Sequence, residues 1–298
     1  MIKILVADKI DSQTIEELKK YGQVVVKPSD IKKEIVDSSI LIVRSATKVD
    51  KVLLEQAQRL KLVIRAGVGL DNIDLEECKK RSIAVFNTPF SSTNAVAELT
   101  IGLMICLLRK VCYLHKKLTI ENKWEKENAL GEEIASKKLG IIGMGRIGQA
   151  VAKKAADLGM QVYYYDKTDK NLKEFKYCQD LDELIESVDI ITIHASVDKN
   201  SPKILDKERF SKIKKGTYLL NLSRGHAIDE KELQNALIDG RIVGAALDVF
   251  ENEPYDGPLK KFDNVILTPH IGASTAQAQQ KIGKEIIQII KENRNIFE

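Results

Sequence analysis

The sequence predicts an α/β protein built on two doubly wound parallel sheets, and three observations carry that prediction. Short β-branched runs alternate with amphipathic helical patterns at a spacing of roughly 20 residues, the rhythm of parallel sheets covered by helices on both faces. One long helical pattern and a polar stretch interrupt this rhythm near the middle, and the same alternation then resumes. The 298 residues exceed one ordinary domain and suit two, each with its own core and a cleft between them.

In the first half the predicted strands are residues 2–7, 23–27, 40–43, 62–65 and 83–86, each an apolar run of strand length. Between them, residues 14–21, 31–37, 49–60 and 75–81 carry charges on one face and Ile, Val or Leu on the other, as helices lying on a sheet do. A helical pattern over residues 93–115 and a polar stretch over 122–136 mark the crossing between lobes. Strands resume around Gly140 and Gln161 and at residues 188–193, 217–221, 242–247 and 265–267, with helices between them. The terminal helix, residues 275–291, carries Ile282, Ile286, Ile289 and Ile290 at helical spacing. Because it follows the completed second lobe, it is expected to return and pack on the first.

Composition excludes several partner classes. The 47 basic residues stand against 43 acidic ones with no basic block, so the net charge of +4 predicts no nucleic-acid surface. Cys78, Cys106, Cys112 and Cys178 form no CxxC pair and no metal-ligand spacing with histidine, so reduced thiols and no metal are expected. The N-terminus lacks the basic start and apolar length of a signal peptide, and the most apolar helix candidate, residues 99–108, is far too short to span a bilayer. A cytoplasmic protein with no membrane partner is expected.

The chemistry begins at Gly143, Gly145 and Gly148, directly behind the apolar run Leu139-Gly140-Ile141-Ile142. In a strand-to-helix turn of this kind the first glycine permits the tight turn, the second lets backbone approach a pyrophosphate, and the third lets the helix pack close to the sheet. The helix from Arg146 to Leu158 would aim its N-terminal amides at phosphate. Asp166 closes the next apolar run 18 residues past Gly148, close to the spacing of roughly 20 for a carboxylate that reads a ribose diol. That carboxylate predicts NAD over NADP, since it would repel a 2′-phosphate, although Lys167 beside it works in the other direction.

Parallel sheets place ligands at the carboxyl ends of their strands, so the residues that end apolar runs in the second lobe carry the most information. Arg224 follows Leu219-Leu220-Asn221-Leu222-Ser223, Asp248 ends Ala245-Ala246-Leu247, and His270 ends Val265-Ile266-Leu267-Thr268-Pro269. An arginine binds a substrate carboxylate bidentately, a histidine exchanges protons near neutrality, and a carboxylate beside the histidine sets its tautomer. Singly, each also reads as a turn, core or surface residue; jointly they suit hydride-transfer chemistry. His194 either faces the cofactor or is a hydrogen-bonded structural histidine, and His115 and His226 read as surface residues.

With those residues in place the chain resembles the D-isomer-specific 2-hydroxyacid dehydrogenases over nearly its whole length. The resemblance is carried by Leu139 to Gly148, Asn221-Leu222-Ser223-Arg224-Gly225, Asp229-Glu230, Gly244-Ala245-Ala246-Leu247-Asp248-Val249-Phe250, Glu253-Pro254 and Thr268-Pro269-His270-Ile271-Gly272-Ala273-Ser274-Thr275. It implies a Rossmann NAD-binding domain over residues 96–277 and a flavodoxin-like, discontinuous substrate domain over 1–95 and 278–298. It implies Arg224, Glu253 and His270 as catalytic residues and Asp248 as a contact of the nicotinamide amide. Further NAD contacts are expected from Val68, Gly143, Gly145, Arg146, Ile147, Gly148, Asp166, His194, Ala195, Leu222, Ser223, Arg224, His270, Gly272 and Ala273.

Within the first lobe, Val43-Arg44-Ser45-Ala46-Thr47-Lys48-Val49, Arg65-Ala66-Gly67-Val68-Gly69-Leu70-Asp71-Asn72-Ile73-Asp74 and Ala97-Glu98-Leu99-Thr100 look like the members that act on a phosphorylated acid. Arg44, with Ser45 beside it, and Arg65 would supply cationic donors, while the N–H groups of Gly67, Val68 and Gly69 would receive the substrate carboxylate. The family's Trp-Glu-Arg element reads Trp124-Glu125-Lys126 here, so Lys126 would meet a phosphate as a point charge. Its His-x-Pro-Leu element reads His194-Ala195-Ser196-Val197. No regulatory domain follows residue 298, so feedback control by serine is not expected.

The implied activity is NAD-dependent oxidation of 3-phospho-D-glycerate at C2 to 3-phosphohydroxypyruvate, the first step toward serine. Arg224 would hold the carboxylate, His270 take the hydroxyl proton and Glu253 orient His270. A homodimer through the inter-lobe helices, or a higher homo-oligomer, is implied too. Two other readings stay open: a glyoxylate or hydroxypyruvate reductase, and a non-catalytic protein that senses NAD(H).

Overall fold

Successive strand residues point to opposite faces of a sheet, and here both sets are apolar, which is the mark of a sheet covered on both sides. The computed structural model describes residues 2–197 and 201–297 and divides the chain into two compact units, Met1–Ser92 with Ala273–Glu298, and Thr93–Gly272.

The first unit holds β1 (Lys3–Val6), β2 (Gln23–Val26), β3 (Ile40–Val43), β4 (Leu62–Arg65) and β5 (Ala84–Asn87) in the order β2-β1-β3-β4-β5, all parallel. Its helices are α1 (Ser12–Leu18), α2 (Ile31–Glu34), α3 (Lys51–Gln56) and α4 (Leu75–Lys80). Asp11, Asp30, Asp50 and Asp74 start these four by accepting first-turn amides through their side chains, which is why each helix begins where it does. Ile4, Val6, Ile40, Ile42, Leu62 and Ile64 face one core, and Leu5, Leu41, Val43 and Val63 face the other. The first core also takes Ile282, Ile286, Ile287 and Ile290 of the terminal helix, so that helix packs in this unit, against α1.

The second unit opens with α5 (Thr93–Leu108) and α6 (Val111–Thr119). Here the single helix expected over residues 93–115 is corrected to two. Lys110 adopts φ 53°, and the Leu108 carbonyl accepts the N–H of Glu132 at 3.0 Å from a distant segment. The sheet follows as β6 (Lys138–Ile142), β7 (Gln161–Tyr165), β8 (Lys176–Tyr177), β9 (Ile190–Ile193), β10 (Thr217–Asn221), β11 (Ile242–Leu247) and β12 (Val265–Leu267), with α7 (Arg146–Asp157), α8 (Leu181–Ser187), α9 (Lys207–Lys212) and α10 (Glu230–Ile238) between strands. α11 (Ala276–Glu292) and α12 (Arg294–Phe297) complete the first unit. The strand order is β12-β11-β10-β9-β6-β7-β8, all parallel, with the reversal of order between β6 and β9. Two expectations shift in detail. The two-residue edge strand β8 is too short to show periodicity, and β9 starts at Ile190, two residues later than expected, just after Asp189, whose carboxylate takes the Lys138 amide (2.9 Å) and the Lys214 ammonium (2.6 Å).

Candidate active site

Ligands of open α/β sheets sit at the carboxyl edge where strand order reverses. In the second unit that point lies between the loops after β6 and β9. Gly143 turns the chain out of β6 with φ 95°, and a Cβ there would stand 2.5 Å from the Ala195 nitrogen, so the two loops touch backbone to backbone. A Cβ on Gly148 would strike the Gly143 carbonyl, which keeps α7 close to the turn. Gly145 is the open one: nothing lies within 4 Å of where its Cβ would be. As the N-cap of the twelve-residue α7 it offers no side-chain acceptor, so the first-turn amides are left for an anion, with Arg146 exposed and Ile147 half-buried on that turn. A pyrophosphate fits this cradle.

Asp166 follows β7 and accepts the Met144 N–H through Oδ2 at 2.8 Å, which locks it to the glycine turn. Its Oδ1 lies 3.1 Å from Lys170 Nζ. Burial pushes this carboxyl up, but the Met144 amide and the Lys170 charge outweigh it and hold it below the ordinary carboxylate range. The basic neighbour in contact is therefore Lys170, which sequence reading missed in favour of Lys167. His194, after β9, pairs Nε2 with Thr192 Oγ1 at 2.9 Å, while its Nδ1 is enclosed without a partner. Burial pushes its pKa down to about 3, so the ring is neutral.

After β10, Leu222 and Ser223 are buried, and Asn221 staples the turn: its Oδ1 accepts from Ser223 N (3.1 Å) and Oγ (2.8 Å), and its Nδ2 donates to the Arg224 carbonyl at 2.9 Å. Arg224 Nη1 donates to the Ser223 carbonyl at 2.7 Å. Gly225 then lies so close to the Phe250–Glu251 peptide that no Cβ would fit. This contact joins the loop carrying Arg224 to the loop carrying Glu253.

His270 and Glu253 meet, with Nδ1 2.9 Å from Oε2. Glu253 Oε1 also accepts the Phe250 N–H at 3.2 Å. Burial raises the Glu253 pKa, yet the His270 hydrogen bond and charge, the Phe250 amide and the Arg224 charge together bring it below the usual carboxylate value. The carboxylate beside the histidine is thus Glu253. Asp248, grouped with His270 from the strand-end pattern, instead accepts from Thr268 Oγ1 (2.6 Å), Ile271 N (2.8 Å) and Gly272 N (2.8 Å). It holds the turn on which His270 adopts φ 54°, a left-handed conformation that costs a non-glycine residue about 1 kcal/mol or more. His226, expected on the surface, is half-buried on the short 3-10 turn after Arg224, with Nε2 2.7 Å from the Ser201 carbonyl; His115 is exposed.

In the first unit the loop after β3 is tied down by two residues that sequence reading passed over. Asp8 accepts from Arg44 N, Thr47 N (3.3 Å) and Thr47 Oγ1 (2.8 Å), and Asn72 Nδ2 donates to the carbonyls of Arg44 (2.8 Å) and Thr47 (2.6 Å). Ser45 is exposed on this loop. Arg65 ends β4, and the loop after it departs from expectation at one atom: the Gly67 N–H is already donated to the Arg65 carbonyl at 2.8 Å. Of the three amides expected to receive an anion, the Gly67 N–H is thus already engaged. The carbonyls of Gly67 and Val68 take Thr88 N (3.0 Å) and Asn87 Nδ2, which turns them away from an anion. Ala273 accepts from Gln279 Nε2 at 2.9 Å. Lys126, in the second unit, is exposed beside Trp124 and Glu125.

No helix among the described residues is long and apolar enough to cross a membrane. The model of the D-isomer specific 2-hydroxyacid dehydrogenase NAD binding domain matches residues 101–272. The D-3-phosphoglycerate dehydrogenase of Methanocaldococcus jannaschii is 41% identical over 300 residues, covering 98% of this chain, while the chain spans 57% of that protein's length. The hydroxypyruvate reductase of Thermotoga maritima is 38% identical over 297 residues, 97% of both proteins. Among solved structures, D-lactate dehydrogenase from Aquifex aeolicus with NAD and lactic acid superposes with a TM-score of 0.87 at 28% identity, covering 99% of this chain and 96% of that one. With the glycine turn, the Asp166 lock and these relatives in view, the chain belongs to the D-isomer specific 2-hydroxyacid dehydrogenases and carries their NAD-binding domain.

Proposed function

We propose that this chain oxidises 3-phospho-D-glycerate at C2 to 3-phosphohydroxypyruvate with NAD, feeding serine synthesis. The observation that carries the reading is the His270 Nδ1 to Glu253 Oε2 hydrogen bond of 2.9 Å, which leaves Nε2 as the imidazole atom open to substrate. In the neutral ring that donates Nδ1–H to the carboxylate, Nε2 carries the lone pair that accepts the C2 hydroxyl proton. The Glu253 charge, kept in place by its depressed pKa, then stabilises the imidazolium. Arg224 holds the substrate carboxylate, and its charge also acts on Glu253, so proton acceptor, orienter and anion clamp are electrostatically linked. Bound NAD supplies the acceptor for the hydride that leaves C2. Its pyrophosphate is assigned to the Gly143–Gly148 turn, its ribose diol to Asp166, and its nicotinamide amide to Asp248.

The phosphorylated substrate is favoured by Arg65 next to the Ala66-Gly67 turn and by Arg44 on its tethered loop, two guanidiniums that suit an anion more negative than glyoxylate. The second reading, hydroxypyruvate reduction, is favoured by the Thermotoga maritima relative, whose length this chain matches at 97%. An NADH absorbance assay across phosphohydroxypyruvate, hydroxypyruvate, glyoxylate and pyruvate separates the two. Highest kcat/KM on phosphohydroxypyruvate is expected, and equal or better turnover of hydroxypyruvate overturns the phosphate assignment. Homodimerisation through the α6 region fits the exposure of Leu118 (49%), Ile120 (76%), Trp124 (80%) and Leu130 (85%) on one stretch of chain.

A further inference from the structure

Glu253 sits on the loop from Asp248 to Pro254, and a carboxylate that must meet an imidazole at 2.9 Å needs that loop held still. One end of the loop is pinned by Asp248, whose oxygens are engaged with the His270 turn. Its outer side is pinned differently. Glu230, the first residue of α10, accepts the backbone N–H of Glu251 through Oε1 at 2.9 Å, two residues before Glu253. The Glu251 carboxylate pairs with Lys203, whose Nζ also donates to the Ile228 carbonyl at 3.0 Å. Glu230 is half-buried, and burial raises its pKa against the lowering charge of Lys203. Two carboxylates and one ammonium therefore clamp the Phe250–Glu251 peptide onto the segment that begins at Arg224, at the spot where Gly225 leaves no room for a side chain.

We propose that Glu230 is a positioning residue, which sets the distance between Glu253 and His270 by fixing the Glu251 amide. The inference rests on the reading of His270 and Glu253 as the proton-handling pair. Glu230 touches neither substrate nor cofactor in this scheme, and it acts only through the backbone of the loop. The feature that matters is an acceptor oxygen at the reach of a glutamate side chain. Gln keeps that oxygen, Asp keeps the charge but falls one methylene short, and Ala keeps neither.

The test compares Glu230→Gln, Glu230→Asp and Glu230→Ala with the unaltered protein in three measurements: kcat and KM on phosphohydroxypyruvate, NADH affinity by fluorescence, and the His270 Nδ1 resonance in protein labelled with nitrogen-15 histidine. Asp and Ala are expected to lower kcat by about ten- to a hundredfold, the scale of an ångström-level misplacement, with NADH affinity unchanged. The His270 Nδ1–H signal should lose its hydrogen-bonded shift in the same two variants. Gln should remain within about threefold of the unaltered enzyme, since a neutral acceptor still reaches the amide. Unchanged kcat and resonance in Asp and Ala overturn the proposal, and so does a Gln variant as impaired as Ala, since charge rather than reach would then matter. If Ala does not fold, the Asp and Gln pair decides. Absence of turnover in the unaltered protein would defeat the proposed function, and the resonance alone would still decide the role of Glu230.

Discussion

Replacing His194 by Gln should remove a large part of this protein's sensitivity to mild acid. The His194 ring pairs Nε2 with Thr192 Oγ1 at 2.9 Å, and its enclosed Nδ1 meets no acceptor. Protonation would place a second N–H at Nδ1 with nothing to receive it, which is why burial pushes the pKa down to about 3. An unfolded histidine titrates near about 6.5. Below that pH the unfolded chain binds a proton that the folded one refuses, so stability is full above about pH 6.5 and falls as pH drops toward about 3. At about 1.4 kcal/mol per pH unit once the unfolded ring is mostly protonated, the loss between pH 7 and pH 5 comes to roughly 2 kcal/mol. Gln spans a similar length, keeps a polar atom for Thr192 and has no proton to gain. Urea unfolding followed by circular dichroism at the two pH values should therefore show the unaltered protein losing about 2 kcal/mol more than the variant. Nitrogen-15 spectra of the four histidines should show one imidazole that stays neutral to pH 4.5 and vanishes in His194→Gln. Parallel stability curves, or four rings that all titrate above pH 5, would refute the account.

Three further outcomes follow from the site and its surroundings. His270→Ala should lower turnover by about two to four orders of magnitude while NADH binding, measured by fluorescence, survives; near-normal turnover removes His270 from the chemistry. Glu253 has a folded pKa below its unfolded value, so its stabilising contribution is full above about pH 4.3 and is lost as pH falls through the folded value. Glu253→Gln should lack that acid-dependent loss in a pH series of melting temperatures, and an identical series in both proteins would contradict it. The double variant Ile120→Lys with Trp124→Glu should shift light scattering from dimer to monomer, and an unaltered protein that is already monomeric would falsify the dimer.

The α/β class was legible because central strands such as β3 and β9 are buried on both faces and read as apolar runs, while most helices keep a charged side. The glycine turn was legible because Gly143 and Gly148 leave no room for a side chain, each for a separate reason, and Gly145 stands open at the start of α7. Less accessible were features made by contacts distant in sequence. The break between α5 and α6 depends on the Glu132 amide reaching the Leu108 carbonyl, and no local pattern announces it. Lys170 was missed for another reason: it stands four residues past Asp166, but the segment between them is not helical, and the adjacent Lys167 drew attention by proximity in sequence. Strand-end residues were found by rule, but the rule could not say which of two carboxylates faces His270: Asp248 and Glu253 both follow β11, five residues apart, and only the folded loop turns one toward the imidazole and the other toward amides.

That division has a physical origin. At the carboxyl edge of the second sheet several side chains serve the backbone and few are left for a substrate. Asp166 holds the Met144 amide, Asn221 the Ser223 amide, Asp248 the Ile271 and Gly272 amides, and Glu230 the Glu251 amide. Loops at a parallel sheet's edge have no ladder to satisfy their N–H groups, so polar side chains must do so if the loops are to be rigid. On loops held in this way Glu253, which itself takes the Phe250 amide, stays within hydrogen-bond range of His270 without a regular element of its own. Removing Glu230, the one of these acids assigned no contact with coenzyme, should consequently lower kcat more than it weakens coenzyme binding. Removing the His270 imidazole should leave the loops in place. A Glu230→Ala enzyme that loses NADH affinity and turnover in equal measure would show that the two layers are not separable.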